Sequence, residues 1–494
     1  MTQVVEANPG AADGSPGPLP AGPARESLLR QSVEFLVVLC LCVMLFRTFA
    51  AEAYIVPTGS MAPTLLGNHR ELSCPNCGFR FMMGLDDGGR AGRPICPNCG
   101  QTGFDGLSSI ESSGDRVLVQ KFLYDLRRPR RWEVSVFHFP GEPTQAYVKR
   151  VVGLPGESIR IKKGDVYTDG RIARKTLAEQ RATRILVFDN NFVPKDSPRF
   201  PRWRFHRGGF REGLPTNWHA DGPRFVHDAA SKPSDSTDWI DYHHWDPERG
   251  RFSAVHDYIA YNGPDVPALN VVPDLMLEAR VAATSDVRSV AVRIDTEANR
   301  FVVEIPILRR GASPTAPVVS RNHRKVTLTS ARGGLKPVLP GTRGPLVEVS
   351  VMDHRLTAAI DGVLLFDPVD FESEPGLDPG DSPIGIGVNG GHVVLSDVRI
   401  DRDVYYTSSL AYNPRRAFGV DSAYPLGPDE FFVLGDNSPV SNDSRFWLGS
   451  PAVPGELFLG KPFLVHMPGR VVPLEVFGRS VYWLPDPREI RYIR

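Results

Sequence analysis

Residues 147–157 read YVKRVVGLPGE, an apolar strand that carries two cations and ends in a Pro-Gly turn. Side chains alternate between the two faces of a strand, so Lys149 and Arg150 are expected on opposite faces. A lysine that faces an apolar interior loses hydration, and the pKa of its amine falls below about 10.4. The neutral amine can then take a proton from a hydroxyl group. A surface lysine on an edge strand is the alternative interpretation.

The flanking segments extend this strand into a β-rich region over residues 114–171. Apolar positions alternate in DRVLVQKF, EVSVFHF and SIRIKKGDVYTDGR, a period of two that is typical of half-buried strands. Lys163-Gly164-Asp165 and Asp169-Gly170 are turn signals and predict hairpins.

The composition favours a mainly β chain and excludes several classes of protein. The 494 residues include 46 Gly and 45 Pro, an excess that favours turn-rich β architecture over a helical bundle. The 57 basic and 57 acidic residues balance, so no global field points to nucleic acid as a partner. Six cysteines are too few for a disulfide-dense scaffold.

The N-terminal segment predicts a disordered tail followed by a transmembrane helix. Residues 1–24 are rich in Gly, Pro and Ala, a composition typical of disorder. The uncharged run Phe35–Phe46 is short enough to suit a buried helix or a signal-peptide core as well. Val33–Ala51 is long enough to cross a bilayer if its flanking charges lie at the interfaces. Basic residues precede it, so an anchor over residues 25–51 would leave the N-terminus in the cytoplasm.

The stretch from 185 to 405 predicts a separate β-sandwich. Short alternating runs are punctuated by turn residues every 8–12 positions, as in a sandwich, and Asp361-Gly362 predicts a hairpin. By pattern alone this stretch resembles a concanavalin/laminin-G-like jelly roll, and no binding residues are assigned in it. Residues 406–494 return to a compact β pattern.

Two more segments carry candidate chemistry. PTGSMAPTL, residues 57–65, places Ser60 on a turn between Gly and Pro residues, where a hydroxyl and backbone N–H groups can be presented together. GDNSPVSNDSRFW, residues 435–447, is dense in turn formers and contains a carboxylate and an arginine two positions apart. Taken alone, each segment is also what an ordinary turn provides.

In this order behind an apolar helix, the three segments resemble the type I signal peptidases, which are membrane-anchored endopeptidases that use a serine and a lysine. The resemblance covers roughly residues 30–70, 110–171 and 406–470. It implies a signal-peptidase-type β catalytic core in two parts, residues 52–184 and 406–494. It also implies cleavage of signal peptides after Ala-X-Ala-like sites without a cofactor for catalysis.

The resemblance implies Ser60 as the nucleophile and Lys149 as the general base. Five polar residues are implied to complete the oxyanion hole, to orient the lysine or to hold the last loop, namely Thr58, Ser441, Asp443, Arg445 and Asp436. Four apolar residues are implied to line shallow pockets for small side chains, namely Val56, Met61, Leu65 and Val148. One departure concerns a turn, because the family usually has Arg-Gly-Asp where this chain has Arg131-Trp132-Glu133.

A cysteine module separates the serine from the lysine. Two CPNC knuckles, each followed by glycine, lie 18 residues apart within residues 72–102 and contain Cys74, Cys77, Cys96 and Cys99. This spacing predicts a zinc ribbon with four thiolate ligands and no catalytic role. Disulfides are the alternative, because the exported side of a membrane is oxidising.

These inferences predict a signal peptidase I, a serine endopeptidase of the bacterial inner membrane. It would be single-pass, with its catalytic domain on the exported side. The predicted partners are preprotein signal peptides, the lipid bilayer and the secretion machinery, and no nucleic acid. One alternative is a non-catalytic, membrane-anchored glycan- or protein-binding protein built on a peptidase scaffold. Another is a processing protease with a narrow, non-secretory set of substrates.

Overall fold

The structure is a computed structural model. It describes residues 28–45, 51–86, 88–104, 110–195, 201–207, 216–229, 237–308, 316–339, 341–372, 376, 379–407, 417–420, 422–469, 471–476 and 479–493. The chain divides into an N-terminal unit that ends at Ala51 and one compact unit over Glu52–Arg494. The predicted disordered tail, residues 1–24, lies outside the described residues.

The described residues of the N-terminal unit form a helix, α1 (Leu28–Leu45). Arg30 and Glu34 form an ion pair of 2.8 Å one turn apart on its exposed surface. Among the residues that the structure describes, no helix has the length and apolar character needed to cross a membrane. The predicted transmembrane helix over residues 25–51 is therefore unsupported, since the charged first half of α1 leaves a short apolar segment.

The compact unit is mainly β, as the sequence predicts. Its first strands are β1 (Ala51–Ile55), β2 (His69–Ser73), β3 (Arg80–Gly84), β4 (Ile110–Ser112), β5 (Arg116–Gln120), β6 (Val134–Phe139), β7 (Glu142–Gly153), β8 (Ser158–Lys162), β9 (Asp165–Thr168) and β10 (Arg171–Ile172). Two short helices occur in the same part, α2 (Leu123–Leu126) and α3 (Leu177–Thr183).

The middle of the chain contains most of the remaining strands. They are β11 (Ile185–Asp189), β12 (Trp203–Arg207), β13 (Trp218–Asp221), β14 (Arg224–Asp228), β15 (Asp238–Tyr242), β16 (Trp245–Asp246), β17 (Arg251–Phe252), β18 (Leu275–Ala283), β19 (Ser289–Asp295), β20 (Arg300–Pro306), β21 (Val318–Arg321), β22 (Arg324–Val326), β23 (Leu346–Met352), β24 (Arg355–Ile360), β25 (Val363–Leu364), β26 (Val369–Asp370), β27 (Ile384–Asn389) and β28 (His392–Arg402).

The last part adds seven strands and completes the first sheet. These strands are β29 (Tyr424–Pro425), β30 (Glu430–Leu434), β31 (Val453–Pro454), β32 (Phe458–Met467), β33 (Val471–Val476), β34 (Arg479–Pro485) and β35 (Arg491–Tyr492). In the described residues, one sheet runs β1-β5-β32-β6-β7-β30-β31, with β35 also paired to β32. Strands from both ends of the compact unit thus alternate within one sheet.

Hairpins form where the sequence predicts them. Asp169 and Asp361 adopt positive φ angles of 51° and 48°, and the glycine after each is also positive. Two consecutive residues with positive φ form the turn that matches the twist of a hairpin. Asp361-Gly362 accordingly joins β24 to β25.

Two large sheets from the middle of the chain share one core. In the described residues they run β13-β14-β28-β18-β23-β24-β25 and β12-β15-β27-β19-β20-β21-β22. Leu277 and Val349 of the first sheet belong to the same buried cluster as Val292 and Ile386 of the second. Buried inner faces that share a core define a sandwich of two sheets.

The sandwich begins and ends at neighbouring points. Ile185, at the start of β11, pairs with Arg402, at the end of β28. A segment whose two ends are adjacent adds little loop-closure cost to the chain around it. The domain boundaries at 185 and 405, and the jelly-roll type, stay predictions.

Candidate active site

Ser60 lies on a 3-10 turn, Gly59–Met61, that follows β1. Thr58, just before the turn, is extended, with φ −108° and ψ 153°. Gly67 packs directly against this bend, because a Cβ on Gly67 would lie 2.3 Å from the carbonyl carbon of Thr58. This packing fixes the backbone of the turn. Ser60 itself is half-buried and therefore keeps access to solvent.

Lys149 lies in the middle of the first sheet and points towards this turn. It belongs to β7, which is flanked by β6 and β30, and it is 4% exposed. Its Nζ donates a hydrogen bond to Ser60 Oγ at 2.8 Å and another to the Val148 carbonyl at 3.2 Å. The ring centroid of Tyr147 is 5.3 Å from Nζ. The fold thus brings the predicted serine and lysine into contact.

Burial lowers the pKa of Lys149 to about 8, because removal of water disfavours the charged amine. Asp443 and Asp436 oppose this shift and raise the pKa, while Arg445 lowers it. A substantial fraction of the amine is therefore neutral near pH 8. In that form it can accept the proton of the Ser60 hydroxyl, to which it is already hydrogen-bonded.

The loop after β30 is held by a buried ion pair. Arg445 Nε and Nη2 donate to the two carboxylate oxygens of Asp443 at 2.9 and 2.8 Å, and both side chains are fully buried. Asp443 also accepts from the Gly435 N–H at 3.0 Å, and Arg445 donates to Ser438 Oγ at 2.8 Å. These contacts close the loop upon itself beside Ser60.

Asp436 lies outside that pair and binds a different arginine. Its carboxylate accepts hydrogen bonds of 2.7 and 2.6 Å from Arg150, and both groups are fully buried. Thr64 Oγ1 donates to the same carboxylate at 2.5 Å. The physical reason is strand alternation, because Arg150 leaves β7 on the face opposite Lys149 and supplies a nearer cation.

Two of the implied hydroxyl groups, those of Ser441 and Thr58, have contrasting surroundings. Ser441 is fully buried, and its Oγ has no hydrogen-bond partner among the described residues. It packs against Gly435, where a Cβ would lie 2.2 Å from Oγ. Thr58 is exposed and makes no side-chain hydrogen bond to the turn that it precedes. Their roles stay predictions.

The four predicted substrate-binding residues lie in one apolar cluster. Val148 is half-buried and packs against the cluster that contains the other three. Those three are at most 3% exposed, namely Val56, Met61 and Leu65. Val148 is therefore the member with a surface available to a substrate, and the others support the floor beneath it.

The four cysteines of the two knuckles converge. Their sulfur atoms all lie within 4.8 Å of one another, with Cys74 and Cys99 at 3.5 Å and Cys77 and Cys96 at 3.7 Å. These distances exceed the roughly 2.05 Å of a disulfide bond, and all four cysteines are free. The backbone repeats in both knuckles, since Gly78 and Gly100 each have φ 76°.

This arrangement fits a structural zinc ion. Zinc–sulfur bonds of about 2.3 Å in a tetrahedron imply sulfur atoms about 3.8 Å apart, close to the two distances seen here. The side chain of Asn76 donates to Cys99 Sγ at 3.7 Å, a contact of the kind that orients thiolate ligands. The cluster could therefore hold zinc with four protein ligands.

Sequence reasoning missed Asn437, which contacts the serine turn at two points. Its backbone N–H donates to the Ser60 carbonyl at 3.1 Å, and its side-chain Nδ2 donates to the Gly59 carbonyl at 2.9 Å. Asn437 is fully buried. Its place between Asp436 and Ser438 in a turn-rich loop gave no signal that it differs from an ordinary turn residue.

Comparison with known proteins identifies one family and several relatives. Residues 107–206, which include Lys149, match the family described as signal peptidase, peptidase S26. Signal peptidase I of Pseudomonas aeruginosa is 27% identical over 173 residues, which cover 32% of this chain and 45% of that protein. A probable signal peptidase I-2 of Synechocystis sp. is 28% identical over 132 residues, which cover 26% of this chain and 39% of that protein.

The chain thus spans less than half the length of these two curated relatives. Among solved structures, the carbohydrate-binding module CBM66 from Bacillus subtilis is 9% identical and covers 40% of this chain and 95% of that chain, with a TM-score of 0.24. That score is too low to support a statement about fold or ligand. The sequence matches confirm the family resemblance that the motifs predict.

Proposed function

Because the chain is related to the type I signal peptidases, we propose that it is a serine endopeptidase that removes N-terminal signal peptides from exported preproteins. Ser60 is the nucleophile and Lys149 the general base. The observation that carries this proposal is the 2.8 Å contact between Lys149 Nζ and Ser60 Oγ, made by a lysine whose pKa burial lowers to about 8.

The proposed reaction passes through an acyl-enzyme. Neutral Lys149 takes the Ser60 proton as Oγ attacks the carbonyl carbon of the scissile bond. The Ser60 N–H and the Thr58 hydroxyl stabilise the oxyanion. Lys149 then gives its proton to the leaving amine as the C–N bond breaks. The neutral Lys149 amine next takes a proton from a water molecule that attacks the ester, and it returns this proton to Ser60 Oγ as the acyl–oxygen bond breaks. All of these proton transfers use the Lys149 side chain.

The proposed substrates end in an Ala-X-Ala-like motif. The apolar cluster of Val56, Met61, Leu65 and Val148 supports this, because three of its members are buried and only Val148 is partly exposed. A shallow apolar surface accommodates small side chains and rejects large ones through overpacking.

Association with a membrane is also part of the proposal. The side chains of α1 that support it are apolar and exposed, namely Val33, Phe35, Leu36, Val37, Val38, Leu39, Leu41 and Met44. A continuous exposed apolar surface of this kind requires cover by lipid or protein. Fractionation of cells that express the full chain, or the chain without residues 28–45, tests this part of the proposal.

The test of the activity is cleavage of a preprotein by the purified full chain, followed by sequencing of the new N-terminus. We expect Ser60→Ala and Lys149→Ala each to lose cleavage, because each removes one half of the proton transfer. Ser73→Ala and Lys121→Ala change an exposed serine and a partly exposed lysine elsewhere in the unit and should cleave at the rate of the wild type. Equal cleavage by all five proteins would disprove the dyad.

A further inference from the structure

A short 3-10 turn from the middle of the chain, Ala260–Asp265, reaches the serine turn. Asn262 of this turn and Asn437 exchange two hydrogen bonds between their side-chain amides. Asn262 Nδ2 donates to Asn437 Oδ1 at 2.7 Å, and Asn437 Nδ2 donates to Asn262 Oδ1 at 2.8 Å. This reciprocal pair fixes the rotation of both amide groups.

The orientation of Asn437 matters because the same amide supports the serine turn. Asn437 Nδ2 also donates to the Gly59 carbonyl, and its backbone N–H donates to the Ser60 carbonyl. An Asn437 amide rotated by half a turn would present its oxygen to the Gly59 carbonyl, and two acceptors would face each other. The Gly59 carbonyl and Asn262 therefore together hold the rotamer of Asn437 that supports Gly59 and Ser60.

Tyr261, the neighbour of Asn262, packs against the other side of the same turn. A Cβ on Gly59 would lie 2.1 Å from Tyr261 Cε1, and a Cβ on Gly84 of β3 would lie 2.2 Å from it. The Tyr261 hydroxyl donates to the Asn68 carbonyl at 2.9 Å. The ring thus packs between the serine turn and β3, the strand that follows the first cysteine knuckle.

Tyr258, two residues before the 260–265 turn, is hydrogen-bonded on two sides. The carbonyl of Tyr258 accepts from Arg402, a fully buried residue at the end of β28, at 2.9 Å. The hydroxyl of Tyr258 donates to the carbonyl of Ile95, beside the second knuckle, at 3.3 Å. The sandwich and the cysteine module therefore both fix the position from which Asn262 acts.

We propose that Asn262 is a positioning residue for the Ser60 nucleophile, supplied by the middle part of the chain and acting through Asn437. The kinetic side of this inference rests on the proposed peptidase function. Loss of the Asn262 amide would free the Asn437 side chain, and the serine turn would sample positions in which Oγ leaves the reach of Lys149. Substrate binding, which uses other surfaces, would change little.

The experiment compares Asn262→Ala with Asn270→Ala in the full chain. Asn270 lies in the same segment and loses a comparable amide bond, since its Nδ2 donates to Asp257 at 2.7 Å, but it does not contact Asn437. For Asn262→Ala we expect kcat to fall roughly tenfold with KM within about twofold of the wild type. Asn262→Asp keeps the oxygen that accepts from Asn437 Nδ2 but places a second acceptor against Asn437 Oδ1, so it should not restore the wild-type rate.

Two measurements separate positioning from general destabilisation. In a double-mutant cycle, adding Asn262→Ala to Asn437→Ala should cost little further kcat, because the two residues act as one unit. Hydrogen exchange of the peptide spanning residues 56–66 should quicken in Asn262→Ala and stay unchanged in Asn270→Ala.

The inference fails if Asn262→Ala and Asn270→Ala have kcat values within about twofold of each other, or if exchange in residues 56–66 is the same in both. A wild-type chain that cleaves no preprotein would overturn the proposed function instead. In that case the hydrogen exchange still decides whether Asn262 holds the serine turn.

Discussion

The amine of Lys149 sets the pH range in which the proposed reaction can run. Its pKa is lowered to about 8 by burial, and only the neutral amine can take the Ser60 proton. We expect kcat/KM to rise about tenfold per pH unit below that pKa and to level off above it. The measurement is the initial rate of cleavage, at low substrate concentration, from about pH 6 to about pH 10.

Unfolding must be excluded as the cause of any change, so melting temperatures over the same pH range are the control. A rate that stays level from about pH 6 to about pH 9 in folded protein would mean that Lys149 is not the base. If the rate falls again above about pH 9, a second titrating group also affects the reaction, and Lys149 remains the base.

Single residues show where prediction from sequence succeeds and where it stops. Strand alternation was enough to place Lys149 and Arg150 on opposite faces of β7. The partner of Arg150 was not predictable, because Asp436 is 286 positions away and lies near another carboxylate in the same loop. Tertiary packing, rather than local pattern, decides which of two nearby carboxylates a buried cation pairs with.

Trp132 is a second residue whose conformation the sequence obscured. It occupies the position where related peptidases have glycine, and it adopts a positive φ of 67°, a region that costs a bulky side chain roughly 1–2 kcal/mol. The ring is buried, and Lys175 Nζ lies 4.3 Å from its centroid. Burial and a cation–π contact offset the strain, so the turn survives without its glycine.

At the scale of elements, the two cysteine knuckles predict a metal dependence. Cys96→Ser removes a fully buried sulfur, and three remaining thiols cannot close a structural zinc site. We expect bound zinc to fall from about one ion per chain to a small fraction of that, with a lower melting temperature. Metal analysis of purified protein and differential scanning calorimetry provide the measurements.

Cys40→Ser is the matched control for this prediction. Cys40 is exposed on α1, in the N-terminal unit, so its loss should leave metal content and melting temperature unchanged. Full zinc content in Cys96→Ser, or two disulfides in the wild-type chain under non-reducing mass spectrometry, would contradict the zinc assignment.

Strands and hairpins could be predicted where the sequence alternates apolar and polar residues or contains specific turn residues. The hairpins at Asp169-Gly170 and Asp361-Gly362 follow from turn chemistry, and the strands around them follow from alternation. The Ala260–Asp265 turn does contain turn residues, Asn262-Gly263-Pro264, with Gly263 at φ 62°, but no apolar repeat accompanies them. Its contact with Asn437 depends on how strands that are distant in sequence assemble, and this assembly cannot be predicted from local patterns in one sequence.

At the scale of the whole molecule, the first sheet is assembled from both ends of the compact unit. Val151 of β7 pairs with Val433 of β30, although a sandwich of more than 200 residues separates them in sequence. Since that segment starts and ends at the paired residues Ile185 and Arg402, the first sheet can close as if the segment were a short loop.

A cluster of carboxylates lies at the junction between β9 and the sandwich. Asp165 of β9, Asp274 and Asp353 bring their oxygens within 4.8 Å of one another. Lys175 donates to Asp353 and Asp403 at 2.7 Å each. One cation among four carboxylates leaves excess negative charge, so protonation of a carboxylate is favoured in the folded chain.

Burial, followed by the charges of Asp353 and Asp403, raises the pKa of Asp274 to about 8. The folded chain therefore keeps a proton that the unfolded chain releases above about pH 4, so stability from this group is present below pH 4 and is lost as the pH rises to about 8. Asp274→Asn cannot ionise, and its amide oxygen can still accept from the Asp353 N–H. We expect this variant to gain roughly 2 kcal/mol on the wild type between pH 5 and pH 8, a value discounted because Asp274 keeps partial solvent access. Urea denaturation at both pH values measures the difference.

Asp228→Asn, on the exposed surface of the same sandwich, is the control and should show no such change in the free energy of unfolding. If Asp274→Asn instead becomes less stable relative to the wild type as the pH rises to 8, the ionised carboxylate stabilises the junction.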